Sequence, residues 1–222
     1  QCASLAIDHP DYGKLASALS VSNLHKNTSP SFYDTMKMMY DNNDFDGNHS
    51  PLVNKEFFDY VEANKEELES LIIMNNDYKL DFFGLKTLEK SYLTRIDKKI
   101  VERPQYLWLK VATAIHLGDI ESIKETYEHL SNLHFTHATP TLFNAGSCRQ
   151  QLSSCFLQAM KDDSIDGIFE TLSDCAKISK WAGGIGLHIH NIRGSDTLIR
   201  GTNGYSDGIV KMLRVYDMVA RL

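Results

Sequence analysis

Cys155 follows Ser153 and Ser154 on a short apolar run at residues 152–160. About thirty residues later comes the segment AGGIG at residues 182–186. A cysteine on a buried strand beside two hydroxyls, then a glycine loop that admits a ligand against bare backbone, points to thiol chemistry on a bound small molecule. The plain alternative is a buried structural thiol that packs as a small hydrophobe. No histidine stands close in sequence to activate it. The glycines do not make a dinucleotide fingerprint. Its third glycine falls on Ile189, and the run follows a helix and precedes a strand. That order is the reverse of the one that sets a pyrophosphate on a helix N-terminus. A tight helix-to-strand turn is the structural reading of the same residues.

Two further patterns suggest metals and fall short. His188 and His190 share one face of a predicted strand and are able to chelate, but no third ligand is evident, so no metal site is expected. Asn42, Asp44, Asp46 and Gly47 occupy positions one, three, five and six of a calcium loop. Position twelve is Val53, where a bidentate glutamate is required. A polar turn is expected there.

The elements that must hold these residues change character along the chain. Up to residue 135 the pattern is helical. Asn54 caps a predicted helix with Phe57, Val61, Leu68 and Leu71 at helical spacing. Pro104 suits a first helical position, Leu107, Val111, Ala114 and Ile115 share a face, and Gly118 stops that helix. Asp119 caps the next, striped by Ile120, Ile123, Tyr127 and Leu130. From His137 the texture alternates. Residues 152–160 read as a strand. Ser164 caps a helix striped by Ile165, Ile168, Leu172, Cys175 and Ile178. Ile185, Leu187 and Ile189 alternate as a second strand. Residues 193–204 form a glycine-rich loop, and a last helix is predicted over 206–221, with Ile209, Met212, Leu213 and Tyr216 on its apolar side. Strand, helix, strand, loop, helix opens an α/β fold with parallel strands. Two strands do not close such a fold, so a natural chain continuing past Leu222 is expected.

The 222 residues suffice for one large or two small domains, and 42% hydrophobic with 23% charged residues is ordinary for a globular protein. A net charge of −6 argues against general nucleic-acid binding, which needs a basic face. No apolar run is long enough for a membrane span and no signal peptide is visible. The chain opens on Gln1 rather than methionine, so a trimmed sequence is expected. Cys2, Cys148, Cys155 and Cys175 match no zinc or CxxC spacing. Reduced thiols in a cytoplasmic protein are expected.

With TPTLFNAG at 139–146 and the loop at 193–204, the 153–186 stretch resembles the large subunit of class I ribonucleotide reductase, closest to the eukaryotic type. The resemblance runs over essentially the whole chain. It includes HPDY at 9–12, VSNLHK at 21–26, FGLKTL at 83–88 and ERPQ at 102–105. Each block is weak alone; their order together is specific. Cys148 and Gln150 depart from the family's pattern, and Trp181 stands where it has a small residue.

The resemblance implies a helical N-terminal domain followed by the first strands of an incomplete ten-stranded α/β barrel. Residues 1–29 would be the tail of an ATP-cone domain, 30–137 the helical domain and 138–222 the start of the barrel. It implies reduction of ribonucleoside diphosphates to deoxyribonucleoside diphosphates. Cys155 resembles one half of the redox pair that gives two electrons to the substrate and leaves as a disulfide. Thr139 matches a hydroxyl at the substrate, and Ser154 and Gly184 match residues contacting the bound nucleoside diphosphate. Asp163, Ser164, Ile165, Lys180, Arg193 and Ile199 match the specificity-effector site for ATP or deoxynucleoside triphosphates with Mg2+. There Asp163 would accept from a sugar hydroxyl, while Arg193 and Lys180 would hold phosphates. A di-iron small subunit would supply a radical, and thioredoxin or glutaredoxin would be the external reductant. The radical cysteine and the partner of Cys155 would lie beyond Leu222, so the 222 residues alone are expected to be inactive. A homodimer through helices 165–181 and 206–221 is implied, with no membrane or nucleic-acid partner. Three other readings stand beside this one: a nucleotide-binding regulatory module without catalysis, a different thiyl-radical barrel enzyme, and a helical scaffold.

Overall fold

The protein is described here from a computed structural model covering residues 2–220. Gln1 and Arg221, the predicted ends of the first domain and of the last helix, lie outside the described residues, as does Leu222. The chain divides into two compact units, residues 1–152 and 153–222.

The first unit is helical, as its sequence periodicity predicts. Its helices are α1 (Asp11–Lys26), α2 (Phe32–Tyr40), α3 (Lys55–Ala63), α4 (Lys65–Leu71), α5 (Phe82–Ser91), α6 (Pro104–Ile115), α7 (Ile120–Ser131) and α8 (Thr139–Asn144). A small antiparallel hairpin, β1 (Arg95–Ile96) with β2 (Lys99–Ile100), separates α5 from α6. The predicted caps are in place. Asn54 accepts from the Phe57 N–H and Asp119 from the Ser122 N–H, which satisfies donors that a helix start leaves open. Pro104 is the first residue of α6. One expectation is corrected. The helix predicted from Phe57 through Leu71 breaks at Asn64 (φ −118°, ψ 22°). The Asn64 side chain and backbone N–H both bond to the Tyr60 carbonyl, a local bond that competes with helix continuation.

Helix α6 is the centre of this unit, with every residue from Pro104 to Thr113 buried. Several polar residues on it and just before it are paired, whereas Trp108 Nε1 and Thr113 Oγ1 are buried without a hydrogen-bond partner among the described residues. Gln105 donates to Asp77 (3.0 Å) and accepts from Tyr127 (2.8 Å) and Ser131 (2.6 Å). Lys110 lies 2.8 Å from Glu102, and Arg103 donates to the carbonyls of His25 and Thr28. Such bonds offset the cost of burying polar and charged groups.

The second unit is α/β. Strand β3 (Cys155–Ala159) pairs in parallel with β4 (Gly184–His188), and α9 (Ile165–Ser179) connects them. Register matches Cys155 to Gly184, Leu157 to Gly186 and Ala159 to His188. Phe156 and Ile185 are half-buried, whereas Cys155, Leu157 and Ala159 are exposed. Cys155 is therefore not on a buried strand. Alternation puts it on the sheet's open face, opposite the side where Cys175 of α9, Ile185, Leu187 and Tyr216 line an apolar crevice.

Two boundaries also move. The 193–204 loop contains β5 (Leu198–Ile199), which pairs antiparallel with β6 (Gly204–Tyr205). The last helix, α10, runs over Val210–Ala220 rather than from residue 206. Its start is delayed because Ser206 is still in the hairpin, donating to Thr197 O (2.9 Å). Gly208 then turns the chain at φ +78°, where a Cβ would lie 2.6 Å from Ser195 Oγ, so a residue without a side chain is needed.

Candidate functional site

Cys155, Ser154 and Gly184 are brought together. The Gly184 N–H donates to Ser154 O (2.7 Å), and the Ser154 hydroxyl lies 3.6 Å from Cys155 Sγ. A Cβ at Gly184 would stand 3.3 Å from Ser154 O and 3.9 Å from that sulfur. The glycine thus leaves an exposed thiol beside bare backbone. Gly183 has a different reason. Its missing Cβ would clash at 2.7 Å with Ile178 and with Phe156, so it lets α9 close onto β3. Thr139 lies in the first unit as the first residue of α8, its hydroxyl 3.0 Å from the Tyr92 hydroxyl.

The other cysteines contrast with Cys155. Cys175 is buried on α9, and burial, followed by the nearby Asp174 charge, raises its thiol pKa. This makes it a poor nucleophile. Cys148 is exposed and donates to Pro51 O at 3.5 Å.

A cavity of about 330 Å³ opens within the second unit, a size that suits a small organic ligand. Of the six residues matched to an effector site, Asp163, Ser164, Ile165, Arg193 and Ile199 line it. Ser164 caps α9 by accepting from the Gly167 N–H (3.0 Å). Asp163 and Arg193 meet each other: Arg193 Nε donates to Asp163 Oδ2 (2.7 Å) and its terminal nitrogen to Asp163 O (3.1 Å). The sixth residue, Lys180, is at the far end of α9, its ammonium 5.5 Å from the Trp181 ring centre. Fifteen helical residues separate it from the Ser164 end, or about 22 Å of helix.

The sequence did not single out Tyr205, Asp207 or Lys211, which line the same cavity. The β5–β6 hairpin brings them there, and a pairing this short carries little periodic signal. The turn at Gly208 was the available hint. His188 and His190 stack with ring centres 3.9 Å apart. Residues 42–53 form a polar turn in which Asp44 accepts from the Asp46 and Asn48 N–H groups (3.0 and 2.9 Å), and these bonds, that of Asn48 first, lower its carboxyl pKa. Among the described residues no group of three or more His, Cys, Asp or Glu is placed to hold a metal ion. Nor is any described helix long and apolar enough to cross a membrane.

Comparison with known proteins gives the same division. Residues 78–150 match the family described as ribonucleotide reductase, all-alpha domain, and residues 153–222 match the ribonucleotide reductase barrel domain. The ribonucleoside-diphosphate reductase large chain of Cryptosporidium parvum is 52% identical over 220 residues, 99% of this chain and 27% of that protein. The large subunit from Arabidopsis thaliana is 54% identical with the same coverage. Large chain 2 of Saccharomyces cerevisiae is 49% identical over 221 residues, 99% of this chain and 25% of that protein. The chain spans about a quarter of the length of these relatives.

Proposed function

We propose, from the premise that the chain belongs to the ribonucleotide reductase large-subunit family, that it is part of an enzyme reducing ribonucleoside diphosphates to deoxyribonucleoside diphosphates. The observation carrying this reading is the thiol of Cys155, exposed on β3 beside the Gly184 backbone and the Ser154 hydroxyl. The proposed part of Cys155 is to supply one sulfur of a dithiol. Two thiols lose two electrons and two protons and become a disulfide; the ribose loses its 2′-hydroxyl as water and gains a hydrogen at C2′. The second thiol and the radical cysteine would lie outside residues 1–222. Bare backbone at Gly184 would let a sugar or phosphate approach the sulfur closely. Ser154 would supply a hydroxyl able to donate or accept.

The cavity lined by Asp163, Ser164, Ile165, Arg193 and Ile199 is proposed as an allosteric site for a nucleoside triphosphate with Mg2+. Ile165, Ile168 and Ile199 give it apolar walls and Arg193 a cation. Lys180 would take part only if contributed from another copy of the chain, consistent with a proposed homodimer through α9 and α10. The relatives' names, "large subunit" and "large chain", point to a small-subunit partner, the proposed radical source. Thioredoxin or glutaredoxin would reduce the disulfide.

The test is a full-length Cys155→Ser variant assayed with small subunit and dithiol. Serine keeps the size and forms no disulfide. Turnover should vanish while triphosphate binding stays unchanged. A substantial residual rate would make Cys155 a structural residue.

A further inference from the structure

The nucleotide reading assigns the phosphates to Arg193 and Lys180. Arg193, however, is held by two hydrogen bonds to Asp163, and both side chains are only about a third exposed (31 and 29%). Lys180 is at the opposite end of α9. A different base faces the cavity. Lys211, in the first turn of α10, lines it together with Asp207 and Arg193. Its position follows from the hairpin. Asp196 N donates to Ser206 O (2.9 Å) and Ser206 N to Thr197 O (2.9 Å), which fold residue 207 back beside residue 195. The Ser195 hydroxyl then donates to Asp207 O (3.3 Å).

Lys211 is paired with Asp207 at 2.6 Å, and these side chains are 69 and 70% exposed. An ion pair this open to water contributes little. Exchanging the carboxylate for another oxyanion therefore costs little, and a lysine ammonium on its four-carbon stem turns readily to a new acceptor. A polyphosphate offers more charge and more acceptor oxygens than one carboxylate. Arg193 differs: in its partly covered site two hydrogen bonds already tie it to Asp163.

We propose that Lys211 is a phosphate-binding residue of this nucleotide site, with Asp207 the counter-ion that the phosphates displace. The inference rests on the nucleotide reading of the cavity. It predicts opposite signs for the two members of one ion pair. Lys211→Met keeps the apolar stem and loses the charge; it should weaken triphosphate binding. Asp207→Asn removes both the competitor for Lys211 and a negative charge beside the phosphates; it should tighten binding. A merely structural pair would shift affinity in one direction for both changes. The effect should also grow with the number of phosphates.

The experiment is calorimetric titration of the full-length protein with dTTP, dTDP and thymidine. Lys211→Met should weaken dTTP roughly tenfold, dTDP less, and thymidine not at all, as expected of a charge-assisted contact. Lys211→Arg should retain binding, and Asp207→Asn should tighten dTTP several-fold. If Arg193→Ala weakens dTTP but Lys211→Met equals wild type, or both pair variants weaken binding alike, the role of Lys211 is overturned while the nucleotide site stands. If wild type binds no dTTP, the nucleotide site and Lys211 fall together.

Discussion

Two thiols in one unit, Cys155 and Cys175, have opposite surroundings. Cys155 is exposed on the open sheet face, whereas Cys175 is buried under α10 with its pKa raised by burial. Since the thiolate is the reacting form, iodoacetamide at pH 8 should alkylate Cys155 well before Cys175 in the 222-residue chain. Peptide mass spectrometry reads the order, and equal rates would refute the exposure of Cys155. In the first unit, burial and then the neighbouring His116 push the His137 imidazole below its ordinary value of 6.5. The unfolded chain then binds a proton at higher pH than the folded one does. Stability is full above 6.5 and falls as pH drops from there through the lowered folded value. His137→Gln should remove that part of the acid sensitivity. Urea unfolding at pH 7.5 and 5.5 checks it; the same pH dependence in both proteins would contradict the assignment.

Elements were legible where the signal is local. Asn54, Asp119 and Ser164 cap helices and Pro104 starts one, because a cap is read from a few adjacent residues. The parallel β3–α9–β4 unit followed from alternation and length. What the sequence left hidden depends on distant partners. Arg103 and Gln105 appear only as part of a family block, yet at the start of α6 they bond to Thr28 and Asp77. The exposure of Cys155 depends on which sheet face the helices cover, and a strand's alternation does not say which face that is. The break at Asn64 and the hairpin before α10 were hidden by short, weakly periodic segments. Five of the six residues matched to an effector site line one cavity, since Asp163 to Ile165 are consecutive and Arg193 is bound to Asp163. Lys180 did not, being a helix length away. Ser164→Ala should remove the cap on α9 and destabilise the protein by about 1 kcal/mol. A chemical-denaturation midpoint unchanged from wild type would show that the cap contributes nothing.

For the whole molecule, the apolar side that the sequence assigned to the last helix turns partly inward: Tyr216 bonds to Ile168 O of α9, and Leu213 lines the crevice beside Cys175. The exposed large apolar residues of these helices are instead Ile165 and Phe169 on α9 and Val210, Val215 and Met218 on α10. If the proposed dimer forms through these helices, a symmetric contact would cover them. Phe169→Glu should therefore weaken self-association of the full-length protein in sedimentation velocity, and nucleotide-promoted association with it; a wild-type dimer would place the interface elsewhere. The central claim, that Cys155 is one sulfur of the reductant, is tested most directly by a single turnover of full-length protein with small subunit and no external reductant. Cysteine mapping by mass spectrometry should then find Cys155 in a new disulfide, formed in equal amount to the deoxynucleoside diphosphate produced. Product formed with Cys155 still a free thiol would contradict it.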